Sequence, residues 1–267
     1  MRLTPAVPER ALVLHGDEDV LLVGDLHVGL EVELRQEGLR LPSQTERMRE
    51  RLARLLDENG CHRLAILGDL KHTITHASGV ESAALVRLFE GLDVPVDLVP
   101  GNHDADLPEL PPHVTKHPAT GMRLGDVGIS HGHTWPSADV LAASVVVTCH
   151  NHPHVSLVDE LGHRHKEPCW VRGPFSRAAR ERFPDLPRGA KFVVMPNFND
   201  LLGGVAFNAL EKEEYLGPLL RNGVFDVEKA KIHTVDGIDL GTVASLRRYA
   251  ATGQGRRRLR AGGRRGR

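Results

Sequence analysis

Five short clusters of Asp, Asn and His are the residues of this chain that could do chemistry together. They are Asp25-Leu26-His27, Gly68-Asp69, Gly101-Asn102-His103-Asp104, His131-Gly132-His133 and His150-Asn151-His152. Each cluster directly follows a short apolar run, and runs that are short and rich in Val and Ile are typical of buried strands. Parallel α/β sheets place their sites at the carboxyl ends of strands. The clusters are therefore expected to point oxygen and nitrogen ligands at one place, which indicates a metal site.

Seven of these side chains are candidate metal ligands, three with an oxygen donor and four with an imidazole. They are Asp25, His27, Asp69, Asn102, His131, His150 and His152. Hard oxygens mixed with imidazole suit Mn²⁺, Fe, Zn²⁺ or Co²⁺ better than Ca²⁺. Seven ligands are too many for one ion, whereas two ions that share a bridging carboxylate would use them. The alternative is a mononuclear zinc site with three ligands and one open position.

The elements that must position these clusters begin as an α/β pattern. The apolar runs 11–15 and 20–23 flank a polar turn and predict a hairpin. The chain then looks polar and irregular to about residue 41. A helix is predicted to begin near Ser43, which forms a capping-box pattern with Glu46, and to end at Asn59-Gly60. The strand that follows it should lie parallel to the hairpin's second strand, because such crossovers are almost always right-handed.

The chain becomes rich in strands after about residue 100. A helix over 80–90 and a strand at 96–99 complete the α/β part. Further strands are predicted mainly within 113–171, and then at 191–195 and 204–207, with short helices at 137–143 and 174–183. Two sheets packed face to face, with helices outside, would accommodate both halves.

Composition is ordinary for a soluble protein. The chain has 267 residues and is 40% hydrophobic. No apolar stretch reaches the ~18 residues that a membrane helix needs, and the first thirty residues lack the pattern of a signal peptide. The three cysteines, Cys61, Cys149 and Cys169, show no zinc-type pairing and fit a reducing compartment. We therefore expect a cytoplasmic protein.

The net charge of −1 hides an asymmetry between the body and the end of the chain. Residues 253–267 contain seven arginines and no acidic residue. Without them, 27 basic residues stand against 35 acidic ones, so the body carries about −8. A basic tail can hold a nucleic acid through its phosphates, but the favoured interpretation is a disordered end with no specific partner. We expect residues 251–267 to form this tail, after a single domain over residues 1–250.

Taken in order, the five clusters resemble the motifs of the calcineurin-like metallophosphoesterase superfamily. The resemblance spans about residues 20–155. Longer stretches that begin at Gly68, His131 and Met195 resemble a narrower group. That group comprises archaeal phosphoesterases distantly related to the SbcD-type nuclease, together with bacterial proteins found beside DNA-repair ligases. One departure is Cys149, where the family usually has Gly, and we expect the site to tolerate this small residue.

The resemblance implies a fold and a role for each candidate residue. The fold is α/β, a four-layer sandwich of two face-to-face mixed β-sheets flanked by helices. One ion is held by Asp25, His27 and His152, the other by Asn102, His131 and His150, and Asp69 bridges them. His103 is not a ligand and faces the leaving group, while Asp104 orients His103. Two divalent metal ions are the implied cofactors, with Mn²⁺ preferred and Fe, Zn²⁺ or Co²⁺ as alternatives.

The implied function is a dinuclear-metal phosphoesterase that acts on phosphodiesters through a metal-bridging hydroxide. The substrate could be DNA, RNA or a small nucleotide. The arginine-rich tail favours a nuclease weakly, whereas the roughly 115 residues after His152 leave little room for the capping domain of larger nucleases. One alternative is a non-catalytic protein-binding scaffold on the same fold, and another is a mononuclear zinc hydrolase. Lost ligands would favour the scaffold, and no ligand is missing here.

Three further polar residues beside the clusters have open roles. His72 could reach a substrate phosphate, cap a helix or lie on the surface. Lys71 is expected to be solvated, because an exposed lysine in a loop is more often hydrated than bound to a ligand. His133 is expected to hold a metal ligand by a hydrogen bond.

Overall fold

The computed structural model describes residues 1–159 and 161–248, and within them it contains two β-sheets. The first sheet has six strands in chain order: β1 (Arg2–Pro5), β2 (Leu12–His15), β3 (Val20–Gly24), β4 (Arg63–Leu67), β5 (Val96–Val99) and β6 (Val114–Lys116). β1, β2 and β3 pair antiparallel, which confirms the predicted hairpin. β3, β4, β5 and β6 pair parallel. The carboxyl ends of β3, β4 and β5 therefore lie side by side at one edge.

Three helices accompany this sheet: α1 (Leu30–Gln36), α2 (Thr45–Glu58) and α3 (Gly79–Phe89). α2 buries Met48, Leu52, Leu55 and Leu56, at the spacing that places residues on one helix face. α3 begins after Ser78, whose side chain accepts a hydrogen bond from the backbone N–H of Glu81. Both helices confirm the crossover pattern predicted from the sequence.

The start of α2 differs from the prediction because a buried carboxylate from α1 occupies it. The residue that precedes the helix is Gln44, without a side-chain cap, so the predicted capping box of Ser43 and Glu46 is wrong. The Ser43 hydroxyl instead donates to Oε1 of Glu31 over 2.9 Å, and the backbone N–H of Gln44 donates to the same oxygen over 3.2 Å. Glu31 thus takes the place of a local cap.

The expectation of irregular chain from 25 to 41 is also wrong, because α1 lies there. It begins directly after Gly29, whose φ of 99° ends the preceding loop. Two helical turns are too short to show an apolar periodicity. Only Leu30 and Glu31 are buried in α1. Its position therefore depends on tertiary contacts rather than on a sequence pattern.

The second sheet is larger and comes from the rest of the described chain. Its main path has the order β13-β10-β11-β12-β9-β8-β7, with β14 paired to β11 and β15 to β14. The strands are β7 (Met122–Leu124), β8 (Val127–Ile129), β9 (Val145–Thr148), β10 (Pro153–Val158), β11 (Arg164–Pro174), β12 (Lys191–Val194), β13 (Val205–Ala206), β14 (Lys231–Thr234) and β15 (Asp239–Thr242). Short helices are α4 (Ala138–Leu141), α5 (Arg177–Arg182) and α6 (Pro218–Arg221). β8, β9 and β12 pair parallel, so the carboxyl ends of β8 and β9 also adjoin.

Alternating side chains divide the core into three apolar layers. Leu21 and Val23 of β3 pack with the residues of α2 and α3, whereas Leu22 packs between the two sheets. In β9, Val147 faces that middle layer, and Val146 faces the outer core of the second sheet. A strand turns successive side chains to opposite faces, so this division places helices outside two stacked sheets. The predicted α/β sandwich of two mixed sheets flanked by helices is confirmed.

The short helix predicted at 174–183 is α5, which begins at Arg177 because β11 continues to Pro174. Its arginines are exposed, with Arg177 at 95% side-chain exposure. The basic tail at 251–267 lies outside the described residues. None of the described helices combines the length and apolar character needed to cross a bilayer.

Candidate metal centre

The carboxyl ends of strands from both sheets meet at one place, and the polar clusters begin there. Backbone hydrogen bonds extend the strand pairing into the clusters. The N–H of His27 donates to the carbonyl of Asp69 over 2.8 Å, and the N–H of Cys149 donates to the carbonyl of His131 over 3.0 Å. Asp25 and Asp69 follow β3 and β4 of the first sheet, whereas His131 and His150 follow β8 and β9 of the second. The candidate site therefore lies at the junction of the two sheets.

Six of the seven predicted ligands come together around two carboxylates. Asp69 Oδ2 lies 3.4 Å from His27 Nε2 and 3.4 Å from His131 Nε2. Asp25 lies 3.1 Å from His131 Nε2 and 3.5 Å from His152 Nε2. Among the described residues, four groups of three have donor atoms within 4.8 Å of one another: Asp25, His27 and His152; Asp69, His131 and His150; Asp25, His131 and Cys149; and His27, His72 and His103. The first two consist wholly of predicted ligands and form two neighbouring sets of three donors.

Asn102 differs from the other six. It is exposed on the turn after β5, and its amide makes no hydrogen bond to any described residue. The turn itself adjoins the cluster, because the backbone N–H of His103 donates to Asp69 Oδ1 over 2.9 Å. Asn102 therefore lies beside the two sets of donors, and its role as a ligand stays a prediction.

Backbone strain is concentrated in the same residues. Within the described chain, six non-glycine residues have a positive φ, and five of them are Asp25, His27, Asp69, His150 and His152. Residues other than glycine rarely adopt this backbone conformation, which costs of order 1–3 kcal/mol at each position. Such strain persists only where the surroundings enforce it, and it clusters at functional sites. The loops thus hold these side chains in an arrangement that local preference disfavours.

Two motif glycines make room for this arrangement. A Cβ at Gly68 would lie 2.4 Å from the ring of His131, and a Cβ at Gly101 would lie 2.1 Å from Asp69 Oδ1. Both distances are far below van der Waals contact, so no larger residue fits without a movement of the site. The glycines that precede Asp69 and Asn102 are therefore required by close approach.

The two carboxylates are ionised although they are buried. Burial raises the pKa of Asp25, but the charges and hydrogen bonds of His152 and His131 outweigh it and lower the pKa. Burial opposes ionisation of Asp69 in the same way, and hydrogen bonds from His131 and His27 hold its pKa well below the usual range. For His131, burial lowers the pKa, but Asp25 and Asp69 raise it to about 10. Both carboxylates are therefore in the ionised form that coordinates a metal ion.

The imidazoles of His150 and His133 are kept neutral, whereas for His152 burial lowers the pKa but the charge and hydrogen bond of Asp25 outweigh it and raise the pKa. Burial and the charge of His131 lower the pKa of His150 to about 3. The same two causes lower the pKa of His133 to about 4. A neutral imidazole has a free ring nitrogen, which is the form that binds a metal.

The ring nitrogen Nε2 of His27 shows that these residues fit a metal ion. It is buried without a hydrogen-bond partner among the described residues, although Asp69 Oδ2 lies 3.4 Å away. A buried polar atom without a partner costs about 1–3 kcal/mol, and coordination of an ion would remove this cost. Carboxylate oxygens and imidazole nitrogens together form a donor set for Mn²⁺, Fe, Zn²⁺ or Co²⁺.

The sequence profile of calcineurin-like phosphoesterases matches residues 19–205, which is well over half of the chain and includes all five clusters. The chain belongs to the calcineurin-like phosphoesterase family. It is accordingly a metal-dependent phosphoric ester hydrolase. A comparison with curated protein sequences finds no match.

Solved structures include proteins of similar fold. The Pseudomonas putida nuclease MPE is 20% identical, with a TM-score of 0.57 over 90% of this chain and 100% of that chain. Yfce, a phosphoesterase from E. coli, is 24% identical, with a TM-score of 0.32 over 52% of this chain and 73% of that chain. A predicted phosphoesterase from Streptococcus pneumoniae is 11% identical, with a TM-score of 0.31 over 85% of this chain and 94% of that chain. The first of these likenesses establishes a shared fold.

His103 and Asp104 each hydrogen-bond to the backbone of neighbouring loops and not to each other. His103 Nδ1 donates to the backbone carbonyl of His72, not to Asp104. The Asp104 carboxylate accepts three backbone N–H groups, from Gly101 over 2.7 Å, Leu70 over 2.9 Å and Lys71 over 3.2 Å. Asp104 therefore ties the Asp69 loop to the His103 loop through backbone groups. Its role in orienting His103 stays a prediction.

The loop after Asp69 corrects one expectation, and the loop after β8 agrees with another. Lys71 is fully buried rather than solvated, and its Nζ donates to the carbonyls of Thr73 and Thr75. A buried lysine is rare unless its donors are used, and here they fix the turn of the loop. His133 Nδ1 lies 2.9 Å from His131 Nδ1, as predicted for a residue that holds a ligand by a hydrogen bond.

Asn199 is a residue of the site that reasoning from the sequence did not single out. Its side-chain amide donates to the carbonyl of Leu26 over 2.8 Å, and its neighbour Phe198 donates through its N–H to the carbonyl of Gly24 over 2.8 Å. These bonds hold the segment between Asp25 and His27 from the side of β12. The resemblance at residues 195–199 was the available signal, but it carried no role for this amide.

Cys149 occupies the position where the family usually has Gly. It is fully buried, and its thiol donates to the carbonyl of Leu67 at the end of β4. Burial raises the pKa of this thiol well above its usual range, so the sulfur keeps its proton. The space for the side chain comes from Gly24, where a Cβ would lie 2.8 Å from the Cys149 sulfur.

Proposed function

We propose that this protein is a dinuclear-metal phosphodiesterase whose ions are held by the seven predicted ligands. The observation that carries the proposal is the position of Asp69 Oδ2, at 3.4 Å from both His27 Nε2 and His131 Nε2. These two histidines belong to different sets of three donors. A single carboxylate oxygen between two such sets supports a bridging role for Asp69.

The assignment of ligands follows the two sets. Asp25, His27 and His152 would hold one ion. His131 and His150 would hold the other together with Asn102, once its exposed side chain turns towards the site. Asp69 would serve both ions. The lowered pKa of Asp25 and of Asp69 keeps both carboxylates ionised at neutral pH, so neither has to lose a proton before it binds.

Two bound divalent ions supply Lewis acidity and a water of lowered pKa, which is the chemistry that hydrolysis of a phosphoester needs. The chain contributes the proton for the leaving oxygen. His103 directs Nε2 towards the site, 4.0 Å from Asp69 Oδ2, because Nδ1 is committed to the His72 carbonyl. Because Nδ1 keeps its proton in that hydrogen bond, His103 can donate from Nε2 only when both ring nitrogens are protonated. General acid catalysis of this kind contributes about 10²–10⁴-fold.

Three finer features belong to the same proposal. A nucleic acid is the preferred phosphodiester, supported by the shared fold with a protein described as a nuclease and by the arginines of residues 253–267. Mn²⁺ is the preferred ion among those that this mix of carboxylate and imidazole suits, in line with the family resemblance. A cytoplasmic location is supported by three free, buried cysteines.

The test is hydrolysis of a panel of phosphoesters by the purified protein with Mn²⁺ or with a chelator. Bis-p-nitrophenyl phosphate, p-nitrophenyl phosphate, cyclic nucleotides and single- and double-stranded DNA would be compared, with bound metal counted per chain. We expect two ions per chain and faster cleavage of diesters than of monoesters. One zinc ion per chain would favour the mononuclear hydrolase. Two bound ions without hydrolysis of any substrate would favour the scaffold.

A further inference from the structure

His72 is in contact with both histidines that the proposed function uses on one side of the site. Its ring Nδ1 lies 3.2 Å from His27 Nδ1, and its backbone carbonyl accepts the hydrogen bond from His103 Nδ1. The rings of His27, His72 and His103 form a compact group, with centroid distances of 4.6 to 5.9 Å. One residue therefore contacts a proposed ligand through its side chain and the proposed acid through its backbone.

The second ring nitrogen of His72 has an acidic partner. His72 Nε2 lies 2.8 Å from Oε2 of Glu33, which belongs to α1 and is exposed. The backbone of His72 is also fixed, because its N–H donates to Oε1 of the buried Glu81 and to the carbonyl of Val28, each over 3.0 Å. His72 is thus held on every side, and Glu33, His72 and His27 form a continuous hydrogen-bonded chain.

The acidic end of this chain decides where the protons lie. A carboxylate only accepts hydrogen bonds, so His72 must carry its proton on Nε2 to bond with Glu33. In the neutral ring Nδ1 is then an acceptor, and the donor that faces it among the described residues is Nδ1–H of His27, over 3.2 Å. His27 consequently leaves Nε2 unprotonated, and this is the buried nitrogen without a partner that faces Asp69.

The opposite order of protons fails at both ends. If His72 carried its proton on Nδ1, its Nε2 lone pair would face the Glu33 carboxylate over 2.8 Å. His27 would then carry its proton on Nε2 and could not coordinate an ion. Metal-binding histidines commonly donate their other N–H to a carboxylate or carbonyl, which fixes the tautomer and the ring orientation. Here an additional histidine lies between the ligand and the carboxylate.

We propose that Glu33 and His72 are positioning residues that hold His27 in its metal-binding tautomer through a Glu33–His72–His27 hydrogen-bond chain. The proposal rests on the assignment of His27 as a metal ligand. Neither residue touches the reacting phosphate in this arrangement. The carbonyl that orients His103 belongs to the backbone, so a change of the His72 side chain alters the ligand and leaves the acid in place.

The first test is Mn²⁺ titration of wild type, Glu33→Ala, Glu33→Gln and His72→Phe. We expect His72→Phe to weaken one of the two binding steps by about 10–100-fold, the usual cost of removing such a partner, and to leave the other step within about 3-fold. Glu33→Ala should weaken the same step. Glu33→Gln should keep most of the wild-type Mn²⁺ affinity in that step, because the amide oxygen accepts the same hydrogen bond. Since Glu33 is exposed, its variants keep the core intact.

Two matched controls come from the same elements. His76→Gln removes an imidazole with 88% side-chain exposure from the loop after His72, and Glu37→Ala removes an exposed carboxylate from the end of α1. Both should bind Mn²⁺ as wild type does. Diester cleavage at saturating Mn²⁺ should show an unchanged KM for His72→Phe, because His72 does not contact the substrate.

The second test reads the tautomers directly, by ¹⁵N NMR of histidine-labelled protein loaded with diamagnetic Zn²⁺. We expect His27 with its proton on Nδ1 and His72 with its proton on Nε2, and mixed tautomers of His72 in Glu33→Ala. Loss of one ion at all concentrations in His72→Phe would make His72 a ligand and overturn the proposal. A raised KM with unchanged Mn²⁺ affinity would make it a substrate contact and do the same. If wild type binds no second ion, the proposed function fails instead.

Discussion

Gly101→Ala tests whether close packing around Asp69 is what builds the site. The new Cβ would lie 2.1 Å from Asp69 Oδ1 and 2.4 Å from its backbone N, whereas ordinary contacts begin near 3.4 Å. Either the turn after β5 or the Asp69 loop must therefore move by about 1 Å. The backbone nitrogen is part of the contact, so no side-chain rotation can relieve it.

The structure sets the size of the expected effect. Forcing an extra methyl group into a packed site costs about 1–3 kcal/mol, which corresponds to a fall in Tm of roughly 2–12 °C for a chain of this size. A displacement of about 1 Å at reacting groups lowers turnover by roughly 10²-fold. Turnover should therefore fall by a larger factor than the Tm change alone would suggest, because the displaced residue is Asp69, which is assigned to both ions.

The assay compares Gly101→Ala with Gly203→Ala. Gly203 has no atom within 4 Å of a new Cβ and no positive φ, so its variant should stay within about 0.5 kcal/mol of wild type. Thermal unfolding without metal isolates the packing cost, and Mn²⁺ titration with diester cleavage measures the site. If Gly101→Ala keeps the Tm, both ions and the turnover of wild type, close approach does not explain this glycine.

Three further predictions address the proposed chemistry. Asp69→Asn should remove most activity and at least one ion, counted by elemental analysis; two ions with normal turnover would reject the bridging assignment. His103→Ala should keep both ions and lose about 10²–10⁴-fold in turnover, and loss of metal would instead make His103 a ligand. The pKa of His131, raised to about 10, leaves it protonated at pH 7 without metal, so binding should release a proton. Calorimetry of Mn²⁺ binding in two buffers measures that release, and an enthalpy independent of the buffer would contradict it.

The sequence predicted the parts of the site that local pattern determines. Short apolar runs followed by Asp or His indicated strand ends, and the parallel order of β3, β4 and β5 brings those ends together. The glycines before Asp69 and Asn102 belonged to the predicted motifs, and close approach explains them. These features could be predicted because the alternation of strands and the direction of a parallel sheet depend on residue order alone.

Contacts between distant residues were beyond such reasoning. Glu33 and His72 are 39 positions apart, and α1 is too short to show the periodicity that would have placed Glu33 on a helix. Lys71 was expected in solvent because the polar loop around it gave no sign that carbonyls of its own turn would bury its amine. The backbone bonds of Asp104 were missed for the same reason, since motif spacing identifies a residue without naming its partner.

The position of the site between the two sheets has a consequence for unfolding. Asp25 and Asp69 extend from one sheet, and His131 and His150 from the other, so neither sheet alone carries a full set of donors. A partly unfolded form with one sheet displaced would lose most of its affinity for metal. Bound Mn²⁺ would therefore disfavour that form by mass action. Amide hydrogen exchange should then slow in β4 and β9 together when metal is added. The ions would thus make the two sheets unfold as a single cooperative unit.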